Sequence, residues 1–252
     1  MGCLRITISA LLLCPFVITS WKKIDWANWK LYLLVGLLGS GIPSFLFPIG
    51  QSEISSSLAG VLNSTTPIFT FLTGIAFFKT RFYWSKLIGI LLGIGGTLFL
   101  ILGQSSDGIS SNPMFALFII AGTLCYGLNV NCVKSFFQKT DPLQLSSVSF
   151  TMIGLPALFY LLFTSHIPTI GESQFLISFG SIFILSLFGT VISTILFFRL
   201  VQKTNAVLAS SVAYFIPIVA IFWGYLDGEV IELLQLVGMG LILLGVYLIR
   251  RT

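Results

Sequence analysis

Residues 55–69 read SSSLAGVLNSTTPIF and place an amide and three hydroxyls, Asn63, Ser64, Thr65 and Thr66, directly before Pro67. Groups of this kind do hydrogen-bonding chemistry. They can hold a polar solute, or they can satisfy a backbone that the proline interrupts. On a helix, Asn63, Thr66 and Thr70 share one face. Pro67 has no N–H, so it deprives the carbonyl of Asn63, one turn back, of its helical donor. Enzyme chemistry finds less material. His166 is the only histidine and stands in a polar stretch near Pro168. Cys3, Cys14, Cys125 and Cys132 follow no metal-binding or redox spacing. No glycine-rich phosphate loop follows a strand. The sequence offers no catalytic residue, no metal site and no cofactor, and the expectation is a protein that is not an enzyme.

The elements that must position the polar groups are membrane helices. Of the 252 residues, 56% are hydrophobic and 8% charged, against about 25% charged in a typical soluble domain. Nine apolar segments of spanning length stand near 4–20, 29–49, 56–78, 84–102, 114–133, 143–163, 175–198, 207–226 and 233–249. Each is close to the ~20 residues that cross a bilayer as a helix. The runs are continuous and do not alternate, which argues against a β-barrel. The expected fold is an all-α membrane protein with nine transmembrane helices. The first segment follows Arg5, but no small-residue cleavage pattern comes after it, so it reads as a span rather than a signal sequence.

Charge placement tests this segmentation. With connections assigned to alternate sides and the C-terminus inside, twelve of the thirteen basic residues fall on one side and Arg5 alone on the other. That is the bias of short cytoplasmic loops. Trp21, Trp26, Trp29 and Trp84 lie near segment ends, where indoles anchor at the headgroup level. The net charge of +5 is thereby explained by orientation, and no nucleic-acid partner is expected. The reading places the chain in the cell (inner or plasma) membrane, N-terminus outside and C-terminus cytoplasmic.

An internal repeat runs beneath the segments. Under a shift of 150 residues, Leu58, Ala59, Pro67, Ile68 and Gly74 meet Leu208, Ala209, Pro217, Ile218 and Gly224. Upstream, Gly39 meets Gly189. After a one-residue slip, Gly89 meets Gly238 and Gly96 meets Gly245. The alternating topology makes the copies run in opposite directions, with Pro67 and Pro217 near the bilayer midplane. Inverted repeats with interrupted helices at that depth are an architecture of secondary transporters.

In the stretches SSSLAGVLNSTTPIFTFLTGIAFFKTRFYWSKLIGILLGIGGTLFLI and FRLVQKTNAVLASSVAYFIPIVAIFWGYLDGEVIELLQLVGMGLILLGVYLI, the chain resembles the drug/metabolite transporter superfamily, specifically proteins with two EamA-type repeats. Family members usually have ten helices, five per repeat. Matched to that pattern, this chain starts at the second family helix. The resemblance implies a first repeat of four helices (1–103) and a second of five (104–252). A tenth helix would come from upstream of Met1 or from a partner, unless nine suffice. The family pattern ends its fourth helix with a Gly-Glu pair. Gly228 and Glu229 match it, whereas Phe78, Lys79 and Thr80 stand there in the first repeat.

The candidate substrate-binding residues are Asn63, Thr66 and Pro67, the facing Ser210, Tyr214 and Pro217, and, from the fifth span, Tyr126 and Asn129. The competing reading is that the hydroxyls satisfy a broken backbone and join helices, where such contacts contribute only ~0.6 kcal/mol. No charged residue lies at the centre of a span. A lipophilic cation is therefore a poorer expected solute than a neutral or zwitterionic metabolite, and a proton as coupling ion is left to boundary residues or to the solute. Gly89 and Gly93 form a GxxxG pair that reads as a packing face within or between subunits, leaving a homodimer open. The expected function is alternating-access transport of a small metabolite. The alternatives are a multidrug or cationic-compound exporter of the same superfamily, or a channel or scaffold.

Overall fold

A computed structural model describes residues 2–54, 56–102, 113–163, 173–226 and 233–251. Among the described residues the chain is helical and contains no strand. Helix α1 (Gly2–Ser20) leads through two 3-10 turns to α2 (Trp29–Gly36), which passes through a π-helical segment, Leu37–Gly41, into α3 (Pro43–Gln51). A turn at Ser64 and Thr65 separates α4 (Ser56–Asn63) from α5 (Thr66–Phe78). Next come α6 (Trp84–Leu102), α7 (Pro113–Phe136) and α8 (Pro142–Phe163). Helix α9 (Ser173–Ser186) crosses a second π segment, Leu187–Ile192, into α10 (Ser193–Lys203). Helix α11 (Ala206–Ser210), a 3-10 turn at Ser211–Tyr214 and α12 (Phe215–Leu226) precede α13 (Leu233–Arg250).

Among the described residues six stretches are long and apolar enough to cross a membrane: Gly2–Lys23, Trp26–Gln51, Met114–Phe136, Pro142–Phe163, Phe179–Lys203 and Leu233–Arg250. Three apolar helices are shorter, Thr66–Phe78, Trp84–Leu100 and Ala206–Val219. The first of these starts just after the interruption before Pro67, and the third contains the one before Pro217. The nine expected segments overlap these nine stretches.

The local distortions recur at the sequence offset. Shifting the π segment at Leu37–Gly41 by 150 residues lands inside Leu187–Ile192. The same shift carries the turn at Ser64 and Thr65 onto Tyr214 and Phe215, where the 3-10 turn gives way to α12. A π segment marks a slip in the hydrogen-bond ladder, so each slip and each proline break stands twice in the chain.

The chain divides into two compact units. One comprises Met1–Phe45 and Cys132–Lys203, the other Leu46–Asn131 and Thr204–Thr252. Each draws on both sequence halves and therefore cuts across the repeats. In the first unit α1 packs on α8 through Ile6, Leu13, Phe150, Ile153 and Ala157. Gly154 lies so close to Ala10 that a Cβ there would overlap its methyl group. Gln202 ties the helix ends together, its side-chain amide donating to the carbonyls of Phe137 (2.7 Å) and Thr140 (2.8 Å). Lys134 Nζ donates to the Gln202 carbonyl at 3.0 Å.

In the second unit α6 packs on α13 with backbones in near contact. A Cβ on Gly89 would lie 2.6 Å from the Gly245 carbonyl oxygen, and one on Gly96 the same distance from that of Gly238. One number rises as the other falls, so the two helices are antiparallel. Exchanging matched residues of the repeat (Gly89 for Gly238, Gly96 for Gly245) turns one contact into the other. Small residues permit this approach in lipid, where packing and not the hydrophobic effect joins helices.

Candidate functional site

The site expected from the sequence lies wholly within the second unit, around its two broken helices. Helix α4 ends at Asn63 and α5 resumes at Thr66, with Pro67 as its second residue. Proline is tolerated in a first turn, where its missing N–H would find no helical acceptor. The carbonyl it frees on Asn63 is met by the neighbouring side chain: Thr66 Oγ1 donates to it at 2.6 Å. The rest of the row does likewise. Ser64 Oγ donates to the Gly60 carbonyl (2.9 Å), Thr65 Oγ1 to Leu62 (2.6 Å), Thr70 Oγ1 to Thr66 (2.9 Å) and Thr73 Oγ1 to Phe69 (2.6 Å). With their protons committed to the backbone, these hydroxyls face any solute as acceptors only. Thr66 and Pro67 are buried and Asn63 is half-buried. The Asn63 side-chain amide makes no hydrogen bond among the described residues.

The second copy is built similarly. Asn205 caps α11, its side-chain oxygen accepting from the Leu208 N–H at 2.8 Å. Ser210 Oγ donates to the Val207 carbonyl (2.9 Å) and Ser211 Oγ to Leu208 (2.7 Å). Pro217 is the third residue of α12 and is half-buried. Tyr214 is 0% exposed. Its hydroxyl donates to the Ile90 carbonyl on α6 at 3.1 Å, and its ring lies against Gly93. Tyr214 is a strut between the interrupted helix and α6, with both polar and apolar parts engaged.

Helices α5 and α11 pack on each other, and Phe71, Val207, Ile90 and Ile249 form one cluster there. Helix α7 is pinned to α5 from its own side. Asn131 Nδ2 donates to the Thr70 carbonyl (2.7 Å) and Thr73 Oγ1 (2.9 Å), and the Gly127 carbonyl lies 3.1 Å away. Gly127 makes this approach possible, since a Cβ there would come within 2.8 Å of the Thr70 nitrogen. Asn129 is buried two residues before the pin. Tyr126 is half-buried, its ring 5.6 Å from that of Phe47. The structure thus gathers the expected residues into one unit, engages Tyr214 and Ser210 with backbone carbonyls, and gives Asn131, which the sequence offers together with Asn129 as a polar group of the fifth span, a bonding role between α7 and α5. The signal for Asn131 was an amide in an apolar helix, which needs a partner.

Among the described residues no three His, Cys, Asp or Glu side chains are grouped as a metal site. The four cysteines are unbridged. His166, Gly228 and Glu229 lie outside the described residues.

Comparison with known proteins gives a consistent picture. The model of the EamA-like transporter family matches residues 1–102 and 113–251. An uncharacterized transporter of Archaeoglobus fulgidus is 27% identical over 249 residues, covering 98% of this chain and 87% of that protein. The inner membrane transporter YedA of Escherichia coli is 27% identical over 224 residues, covering 86% of this chain and 69% of its own length. The transporter YdfC of Bacillus subtilis is 25% identical over 250 residues, covering 96% and 78%. A protein of known crystal structure superposes with a TM-score of 0.74 at 17% identity, covering 98% of this chain and 85% of that one, which speaks for the fold alone.

Proposed function

The chain belongs to the EamA-like transporter family, and from that premise we propose that it is a secondary transporter moving a small neutral or zwitterionic metabolite by alternating access of two inverted halves. Family membership and the names of its relatives support a membrane transporter, embedded in lipid and acting on a small molecule. The finer reading is carried by one observation. Two helices of one compact unit are each broken just before a proline, at matched places in the repeat. Broken helices present backbone groups and helix ends that an unbroken span would keep to itself.

In this reading the solute lies beside the two breaks. Asn63 offers a donor and an acceptor, the hydroxyl oxygens of Thr66 and Ser210 offer acceptors, and Tyr126 and Asn129 complete the wall. Pro67 and Pro217 fix the breaks, and Tyr214 holds its break against α6. All nine helices cross the membrane, with the N-terminus outside. Coupling to protons, if used, falls to groups at the span ends or to the solute.

The test is counterflow. The protein is reconstituted in vesicles preloaded with one unlabelled metabolite and offered the labelled form outside. Transient accumulation of a neutral or zwitterionic solute, abolished without the preload, is the expected result. Unitary currents without counterflow would make the protein a channel. Transport of lipophilic cations alone would make it a cationic-compound exporter.

A further inference from the structure

The second unit carries its positive charge at one end. Helix α5 stops at Phe78 and α6 starts at Trp84, so the linking residues, 79–83, stand at that end of the pair. Helix α13 runs antiparallel to α6, and a Cβ on Gly89 would come 2.8 Å from Ile249 Cγ1. The last turn of α13 therefore lies beside the opening turns of α6. Every lysine and arginine of the unit is at this end: Lys79 and Arg81 in the link, Lys86 in the first turn of α6, and Arg250 and Arg251 where α13 finishes. Among the described residues no carboxylate pairs with any of them. Glu53, the described acid of this unit, stands at the far end. Helix α7 gives the direction: its Ile119 packs with Ile54 and Ala59, whereas Gly127 and Asn131, further along, meet Thr70 and Thr73 on α5.

The same end is set with outward-facing rings. Phe77 is 73% exposed and Trp84 71%. Phe82 holds the link against the helices, its ring 5.4 Å from that of Phe71 on α5 and 5.2 Å from that of Trp84. Lys86 Nζ lies 4.8 Å from the centre of the Tyr83 ring. In water, rings this exposed are unfavourable. At the headgroup layer of a bilayer, half apolar and half wet, they are anchors. That depth selects the partner. A soluble anion would meet the cations and leave the rings bare, whereas a phospholipid covers both.

We propose that this end of the second unit binds anionic phospholipid, with headgroup phosphate on the cations and acyl chains along Phe77 and Trp84. Orientation in the membrane asks only for a surplus of lysine and arginine on one side. A cluster without acids, framed by lipid-facing rings, adds a preference for charged lipid, since each cation near an anionic surface contributes about fivefold in affinity. Binding of this kind needs the chain in a bilayer and is independent of transport.

The test reads Trp84 itself. The full chain is reconstituted in phosphatidylcholine vesicles that contain either brominated phosphatidylglycerol or brominated phosphatidylcholine, whose bromines quench tryptophan on contact. The Trp84 signal is the difference between the wild-type chain and Trp84→Phe. The charged lipid should quench it at a mole fraction about threefold lower or less. Salt at about 1 M should shrink that preference, while inorganic phosphate at constant ionic strength should leave it unchanged. Arg250→Gln with Arg251→Gln should bring the two lipids close to parity, and so should Lys79→Gln with Arg81→Gln. Glu53→Gln, at the far end, should leave the preference as it is. Equal quenching of the wild-type chain by both lipids, or a preference that survives both pairs of substitutions, would overturn the proposal. So would a preference abolished by inorganic phosphate, which would make this a site for soluble anions. Either pair decides the matter if the other fails to fold.

Discussion

Thr66 returns its hydroxyl proton to the carbonyl of Asn63, at 2.6 Å, one residue before the proline that leaves that carbonyl unmet. The break in the helix is thus sealed by the residue at the break. Thr66→Val keeps the shape and removes the seal, and should lower stability by about 1–3 kcal/mol, while Thr66→Ser should recover most of it. Unfolding in mixed micelles, titrated with denaturing detergent, measures both.

The same break is the proposed solute site, so flux is the second readout. Asn63→Ala combined with Thr66→Val should cut counterflow about tenfold or more while the protein still inserts and migrates as a monodisperse species. Wild-type flux in the double variant would leave the break with a structural role only.

Tyr214 and Gly93 make a separable pair. Tyr214→Phe loses the bond to the Ile90 carbonyl and should cost about 1 kcal/mol. Gly93→Ala drives a methyl group into the ring and should cost about 1–3 kcal/mol. Because the ring is the shared element, Gly93→Ala should be much milder in a Tyr214→Ala background, a coupling that a double-mutant cycle of unfolding midpoints reveals.

Asn131→Leu removes the pin from α7 to α5 and leaves the Thr73 hydroxyl oxygen without that donor. A loss of about 1–3 kcal/mol is expected. Hydrogen exchange should quicken around Thr70 and Gly127 more than at the α6–α13 contact.

Lys79 ends α5 with a positive φ of 54°. That conformation suits glycine at a helix C-terminus. Lys79→Gly should raise the thermal midpoint by an amount equivalent to about 1 kcal/mol, and Lys79→Val should lower it.

Much of the scaffold was legible before any coordinates. Apolar run length is a local signal, and so is a proline inside one, which is why the interruptions at Pro67 and Pro217 could be read from the chain. The glycine matches, Gly39 with Gly189 and Gly89 with Gly238, carried real geometry: the first pair lies in the two π segments, the second in the α6–α13 contact. Other features depend on which way a side chain turns, and sequence is silent there. Thr66 looked equally suited to a solute and to its own backbone. Tyr214 stood out as a candidate for the site, but that its hydroxyl donates to a carbonyl 124 positions away could not be read from the chain. The unpartnered hydroxyls of the first unit sit in ordinary apolar runs: Ser147 and Ser149 are equally buried, yet Ser147 donates to a carbonyl and Ser149 has no partner among the described residues.

The interleaving of the two compact units bears on biogenesis. The opening helices belong with a stretch translated only after residue 131, and α6 must wait for α13, the last helix synthesised. At roughly 5–20 residues per second on the ribosome, early spans sit in the bilayer for several seconds before their lasting neighbours emerge. During that wait the bare glycine faces of α6 are open to any passing helix, and insertion factors that shelter half-made bundles would be most needed then.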